Sequence, residues 1–202
     1  MKCRACARLA HALVGVVFLA AAPLLHAQKT SIDDLCRLHG IRQEADVGKI
    51  RQAYLAALGA GIREEELSPF VEDILRHKLD CNQMVKVLAA AAELKKDELP
   101  YFVVFSKVRE GVAKGAPPAL VVEAAESKLR TLTESRDVLK SLASSGYRVL
   151  DFQNAAVIVG SYLEKGYAPR EVVQQIRQKG IEGAGFAALS GVLEKPMNSN
   201  ER

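Results

Sequence analysis

Residues 114–122 read Lys-Gly-Ala-Pro-Pro-Ala-Leu-Val-Val, and residues 165–173 read Lys-Gly-Tyr-Ala-Pro-Arg-Glu-Val-Val. Both stretches predict the end of one helix, a turn and the start of the next helix. In each, a glycine can take the left-handed conformation that ends a helix, and a proline two or three residues later suits the first turn of the following one. The chain is therefore predicted to be a series of helical hairpins.

The composition is that of an ordinary globular protein. The chain has 202 residues, of which 49% are apolar and 26% charged, enough for one domain or two small ones. Apolar residues recur at spacings of three and four, as they do between Glu44 and Leu58, which is typical of amphipathic helices. We predict an all-α fold, either an irregular helical bundle or a short α-solenoid of hairpins, with about seven to nine helices. Residues 28–197 would form a single helical domain, with 28–99 and 100–197 as candidate sub-units.

Three polar residues predict helix starts, and one apolar segment fits either a helix or a strand. Ser31, Asp80 and Asp151 each precede an apolar periodic stretch and are predicted N-caps. Residues 101–105 are five consecutive β-forming residues, which also fit a buried strand, but the apolar spacing that continues to residue 114 favours a helix.

The C-terminal end is predicted to hold one more helix. Residues 185–194 carry apolar residues at helical spacing and stop before Pro196. The tail at 198–202 is expected to be disordered because it is short, polar and terminal.

The first 27 residues have the pattern of a secretory signal peptide. Lys2, Arg4 and Arg8 precede an apolar run from residue 9 to residue 25, and Ala27 supplies the small residue that signal peptidase requires. Cleavage is expected between Ala27 and Gln28, which predicts a periplasmic or secreted protein. An uncleaved leader that anchors the chain in the inner membrane is the alternative.

Without this leader, the charge of the chain is nearly balanced. The leader holds three of the 28 basic residues and none of the 24 acidic ones, so 25 basic and 24 acidic residues remain, a net charge of +1. The remaining Lys and Arg form no cluster, and nucleic-acid binding is therefore not expected. No later stretch is apolar for long enough to span a bilayer, so no stable membrane span is expected after cleavage.

Two cysteines and two histidines follow the leader, and they fall in two pairs. Cys36 and His39 are three residues apart, and His77 and Cys81 are four apart, so each pair shares a helix face. Two sulfurs and two nitrogens suit tetrahedral zinc. In an oxidising compartment a Cys36–Cys81 disulfide is the more common outcome, and it would stabilise the fold by about 3–4 kcal/mol. Two unpaired thiols are the third alternative.

One group of residues resembles an enzyme family. Ala125-Glu126-Ser127 precede Asn154 and the segment Val159-Gly160-Ser161-Tyr162-Leu163. In this order they resemble lytic transglycosylases of the lysozyme-like helical type, which act on peptidoglycan, and the resemblance implies that Glu126 is the general acid. The Gly-Leu-Met-Gln and Ala-Tyr-Asn-x-Gly segments of that family are absent from this sequence. A solvated glutamate on an amphipathic helix is the alternative interpretation of Glu126.

Other catalytic templates do not match. The sequence has no Gly-x-Ser-x-Gly, no phosphate loop and no His-Glu-x-x-His, and no cofactor is expected.

Our leading hypothesis is an exported, non-catalytic interaction, scaffold or envelope-assembly module whose partner is another envelope or secreted protein. The alternatives are a peptidoglycan-acting hydrolase that uses Glu126, and a metal- or redox-responsive periplasmic protein that uses Cys36 and Cys81. The aromatic residues Tyr101, Phe102, Phe105 and Phe152 are predicted core positions, with a peptide groove as the alternative.

Overall fold

Helices account for most of the described chain. The computed structural model describes residues 31–196; the predicted leader, its predicted cleavage site between Ala27 and Gln28, and the tail at 198–202 lie outside the described residues. The α-helices are α1 (Ile32–Leu38), α2 (Glu44–Gly59), α3 (Glu64–Arg76), α4 (Cys81–Lys96), α5 (Phe102–Ala113), α6 (Pro118–Ser144), α7 (Phe152–Glu164) and α8 (Pro169–Lys179). A 3-10 helix (Gly183–Gly191) follows, and two short strands, β1 (Arg148–Val149) and β2 (Leu193–Glu194), pair antiparallel. The all-α prediction is confirmed.

The helices pack together as an all-α bundle. α2 packs along α4 and α4 along α6, while α3 packs on α5 in a second layer. α7 and α8 both pack against α6, the longest helix, so α6 carries the C-terminal part of the fold. The buried apolar side chains form one continuous cluster from Leu35 to Leu193. None of the helices within residues 31–196 is long and apolar enough to cross a membrane.

The two similar stretches form the same turn. Gly115 has a φ of +66°, its N–H donates to the carbonyl of Val112 at 3.0 Å, and the next N–H, of Ala116, donates to Gly111 at 2.9 Å. The same two bonds occur at Gly166, which has a φ of +96°. Its N–H donates to the carbonyl of Leu163, and the N–H of Tyr167 donates to the carbonyl of Tyr162. This is the Schellman motif, which satisfies carbonyls at a helix end. Pro118 and Pro169 then open α6 and α8.

The same helix ending occurs earlier in the chain. The N–H of Gly61 donates to Leu58 at 2.9 Å, and α3 begins three residues after Gly61, the interval found after Gly115 and Gly166. Lys78 and Glu98 end α3 and α4 with φ values of 57° and 60°, although neither is a glycine. In each case the residue that follows is apolar and buried, which anchors the turn in the core: these residues are Ile62, Leu79 and Leu99.

Local signals at the helix starts are confirmed. The side chains of Ser31, Asp80 and Asp151 accept hydrogen bonds from backbone N–H groups in the first turns of α1, α4 and α7. The apolar run at 101–105 belongs to α5, so the helical assignment is confirmed over the strand alternative. Packing on two sides explains the run, since α5 contacts both α3 and α6.

The last predicted helix, at 185–194, is confirmed only in part, because a 3-10 helix covers Gly183–Gly191 and residues 193–194 form a strand. Ala184 and Gly185 have φ values of 54° and 82°, so the segment is a kinked 3-10 helix, and residues 193–194 pair instead with Arg148 and Val149. Phe186 explains the arrangement, because its ring packs against Tyr162 and Tyr167 with centroid distances of 4.6 and 5.7 Å. Three glycines in nine residues also give this segment a low helix propensity.

Candidate functional site

The zinc arrangement suggested by the Cys and His spacing is not formed. No group of three or more His, Cys, Asp and Glu side chains within residues 31–196 is placed to hold a metal ion. His77 follows the last turn of α3 and is exposed, whereas His39 caps α1 and has a buried Nε2 that lacks a hydrogen-bond partner in the described part of the chain. The two histidines therefore lie in different environments.

Cys36 and Cys81 are both buried thiols in the N-terminal part of the core. Burial raises the pKa of Cys36 to about 11, and the neighbouring Asp33 and Cys81 add to the shift. Burial also raises the pKa of Cys81, whose Sγ lies 3.5 Å from the carbonyl of Asp46. Both thiols therefore stay protonated at neutral pH and are weak nucleophiles. Their pairing in a disulfide remains a prediction.

Glu126 lies inside α6 and not at a helix end. It occupies the third turn of the helix, is partly exposed, and its Oε1 lies 3.1 Å from Nζ of Lys86 on α4. The two side chains are 37% and 57% exposed, so they form an ordinary surface ion pair between neighbouring helices. In the transglycosylase family the corresponding glutamate ends its helix, which is a different placement.

A groove with a largely apolar lining lies between α6 and α8. It has a volume of about 590 Å³ and is lined mainly by Val138, Ser141, Pro169, Arg170, Val173 and Arg177; we call it the α6–α8 groove. The positions of the apolar residues along α8 explain the groove. Val172 and Ile176 are fully buried, whereas Val173 lies at the edge of the interface and forms the floor of the groove together with Val138.

The rim of the α6–α8 groove is cationic. Arg170 is exposed and makes no ion pair or hydrogen bond within residues 31–196. Arg177 donates to the carbonyl and the hydroxyl of Ser141 at 3.3 and 3.4 Å and is also exposed. The one carboxylate of the lining, Asp137, already pairs with Arg136 at 3.2 Å. The groove can therefore accept an apolar side chain that has a carboxylate beside it.

A second surface, formed by α1 and α3, has the opposite charge. Leu35, Leu38, Glu65, Pro69 and Glu72 line a cavity of about 380 Å³; we call this the α1–α3 surface. Leu38 is 75% exposed, the largest exposure of any large apolar side chain among the described residues. Glu65 and Pro69 also line an adjoining cavity between α3 and α5.

Three of the four aromatic residues that the sequence predicts to be core positions, Tyr101, Phe102 and Phe105, line the adjoining α3–α5 cavity. Phe105 is buried and stacks on Phe70 with a centroid distance of 3.9 Å, as predicted for a core residue. Phe102 is 49% exposed, so its predicted core position is wrong. The hydroxyl of Tyr101 donates to Glu66, and this bond, with the ion pair to Arg63, lowers the pKa of Glu66. Phe152 is partly buried against the core.

Comparison of the chain with protein-family models, with curated proteins and with solved structures finds no match. Function must therefore be argued from the surfaces themselves.

Sequence reasoning predicted the turn that precedes α8 but not the α6–α8 groove. A groove depends on how far apart two helices lie, and helical periodicity does not report that distance. The available signal was the adjacent pair Val172 and Val173, because neighbouring side chains point about 100° apart on a helix, so one of the two can lie at the edge of the buried face.

Proposed function

We propose that this chain is an exported, non-catalytic scaffold that holds an envelope or secreted protein in the α6–α8 groove. The observation that carries the proposal is an apolar floor of Val138 and Val173 beside Arg170, a cation without a partner in the described part of the chain. The proposal of export is supported by the pattern of residues 1–27, with cleavage between Ala27 and Gln28.

The groove has the two features that a protein-binding site needs. Burial of one leucine-sized side chain against an apolar floor contributes roughly 1.5–3 kcal/mol. A carboxylate opposite a guanidinium adds a charge-assisted hydrogen bond and fixes the orientation of the partner. The groove is thus suited to a segment that presents a leucine or similar side chain next to Asp or Glu.

Two local observations favour binding over turnover. Glu126 is held by Lys86 on an exposed helix surface, and the thiol of Cys36 has a pKa of about 11 and stays protonated. A general acid needs contact with a substrate cleft, and a nucleophilic cysteine needs a lowered pKa. Both side chains are better explained by the packing of the helices than by catalysis.

Site-specific photo-crosslinking tests the proposal in cells that express the full chain. A photo-reactive amino acid at Gln174, which is exposed and lines the groove, is expected to capture a discrete protein product. The matched control is the same amino acid at Leu55, which is 55% exposed on α2. Arg170→Glu should abolish the Gln174 product.

The proposal is contradicted if Gln174 captures no more than Leu55, or if Arg170→Glu changes nothing. The hydrolase alternative predicts that purified chain releases fragments from peptidoglycan and that Glu126→Gln stops the release. We expect no release by either protein.

A further inference from the structure

We infer that the partner of the α6–α8 groove is a second copy of this chain, which inserts its α1–α3 surface and builds a head-to-tail assembly. The inference rests on the proposed function of the groove and names its occupant. It is carried by the opposite charges of two surfaces on one molecule, an acidic one with an exposed leucine and a cationic one with an apolar lining.

Each of the two surfaces has an apolar part. Leu38 projects from the last turn of α1 and is 75% exposed, with the nearly buried Leu35 one turn before it. Val138 and Val173, which are 2% and 9% exposed, belong to the lining of the groove. Insertion of Leu38 would remove from water the most exposed large apolar side chain of the described range.

The charges of the two surfaces are also complementary. Glu65 is exposed on the acidic surface; its charge interacts with that of Arg63, but it makes no direct hydrogen bond or salt bridge within residues 31–196. Arg170, on the rim of the groove, makes no hydrogen bond or salt bridge in that range either. Each surface therefore offers a charged side chain that is free to form a direct ion pair with the other, which gives register and specificity to a contact.

The same asymmetry extends over the two halves of the molecule. Residues 31–99 carry 13 Asp and Glu against 10 Lys and Arg, whereas residues 100–196 carry 10 Asp and Glu against 13 Lys and Arg. Like charges disfavour the contact of two N-terminal halves or of two C-terminal halves. Opposite charges favour the contact of an N-terminal half with a C-terminal half.

A contact between two different patches is heterologous, and it can be repeated. Every copy keeps a free groove at one side and a free α1–α3 surface at the other, so copies add until a ring closes or a filament forms. This property distinguishes the inferred contact from a symmetric dimer, in which both copies use the same patch.

The test is a mixing experiment in sedimentation velocity with protein expressed from the full-length sequence. The variants are Leu38→Asp, which removes the inserted side chain, and Val173→Asp, which blocks the groove. Each is expected to be a monomer on its own, with association at least about ten-fold weaker than that of the unmodified chain. Mixed together, they should form a 1:1 dimer that does not grow, because only one intact groove and one intact α1–α3 surface remain per pair.

The matched control is Leu55→Asp, an equally drastic change at an exposed leucine outside both surfaces, which should associate like the unmodified chain. Circular dichroism verifies that each variant is folded. If Val173→Asp unfolds the protein, Arg170→Glu replaces it, because Arg170 is exposed.

The inference is overturned if the unmodified chain stays monomeric at all concentrations, if either variant alone still dimerises, or if the mixture behaves like its components. Capture of a different protein by the Gln174 probe, together with a monomeric chain in solution, would remove self-assembly and leave the proposed function intact. If the Gln174 probe captures no protein and the chain is also monomeric in solution, both self-assembly and the proposed function are contradicted.

Discussion

Gly160 of α7 lies directly against Ser135 of α6. A β-carbon at Gly160 would stand 3.2 Å from Oγ of Ser135 and 3.3 Å from Cγ2 of Thr131. Ser135 is fully buried, and its hydroxyl donates to the carbonyl of Thr131 at 2.7 Å. The two helices therefore approach so closely that only glycine fits without displacement. Gly160 belongs to the segment that resembles the transglycosylase helix, and its role in this structure is close packing.

Substitution of Gly160 should destabilise the fold. Gly160→Val is expected to lower the free energy of unfolding by about 1–3 kcal/mol, because the larger side chain must push α6 and α7 apart. The control is Gly48→Ala in α2, where a β-carbon meets nothing within 4 Å. That change should stabilise by roughly 0.5–1 kcal/mol through helix propensity. Urea unfolding measures both, and equal stability of Gly160→Val and the unmodified chain would contradict the packing argument.

The helix endings predict opposite effects at two similar turns. Gly166→Ala should lower the free energy of unfolding by roughly 1–2 kcal/mol. The site has a φ of +96°, so an alanine is strained there although its β-carbon would meet no atom within 4 Å. Lys78→Gly should be neutral or stabilising by less than about 1 kcal/mol, because glycine relieves the φ of 57° at the cost of a more flexible unfolded chain. Thermal unfolding compares them; destabilisation by Lys78→Gly as large as by Gly166→Ala would refute the shared geometry.

The raised pKa of Cys36 makes stability depend on alkaline pH. The thiol has a pKa near 9.0 when unfolded and about 11 when folded, so the folded state retains the proton longer. Its contribution to stability is complete below about pH 9 and is lost as the pH rises towards 11. In reducing buffer, the unmodified chain should lose more stability between pH 8 and pH 10.5 than Cys36→Ala does. Parallel losses in the two proteins would show that Cys36 does not titrate in this way.

The predicted Cys36–Cys81 disulfide is tested on protein purified from cells that express the full-length sequence. If it forms, alkylation in denaturant labels neither cysteine until a reductant is added, and the pH effect of Cys36 disappears without reductant. Two labels before reduction would show that the thiols remain free in this protein.

Sequence patterns predicted the parts of the fold that depend on local chemistry. Gly115 and Gly166 are recognisable because few other residues tolerate a positive φ, and Asp80 and Asp151 are recognisable because their side chains bond to the next turn. Lys78 and Glu98 adopt the same helix-ending geometry without a glycine. Burial of Leu79 and Leu99 holds those turns, and burial is a tertiary effect that a single sequence does not display.

The candidate site depends almost entirely on tertiary placement. The apolar run at 101–105 predicts a core position for Phe102, yet its ring lies on the outer side of α5. The strands at 148–149 and 193–194 are only two residues long, which is too short to leave an alternating pattern of apolar and polar residues in the sequence. The groove beside Val173 and the exposure of Leu38 follow from the docking of α8 on α6 and of α1 on α3. Helical periodicity alone determines neither of these two packings.

The most direct measurement of docking between the α1–α3 surface and the α6–α8 groove is a charge exchange followed by sedimentation velocity at low ionic strength. Glu65→Arg and Arg170→Glu should each weaken association at least about ten-fold, because each places like charges opposite one another. One chain that carries both changes should regain the association of the unmodified chain, since the charges are again complementary. Association that is unaffected by the single changes, or that the double change fails to restore, would contradict the docking of these two surfaces.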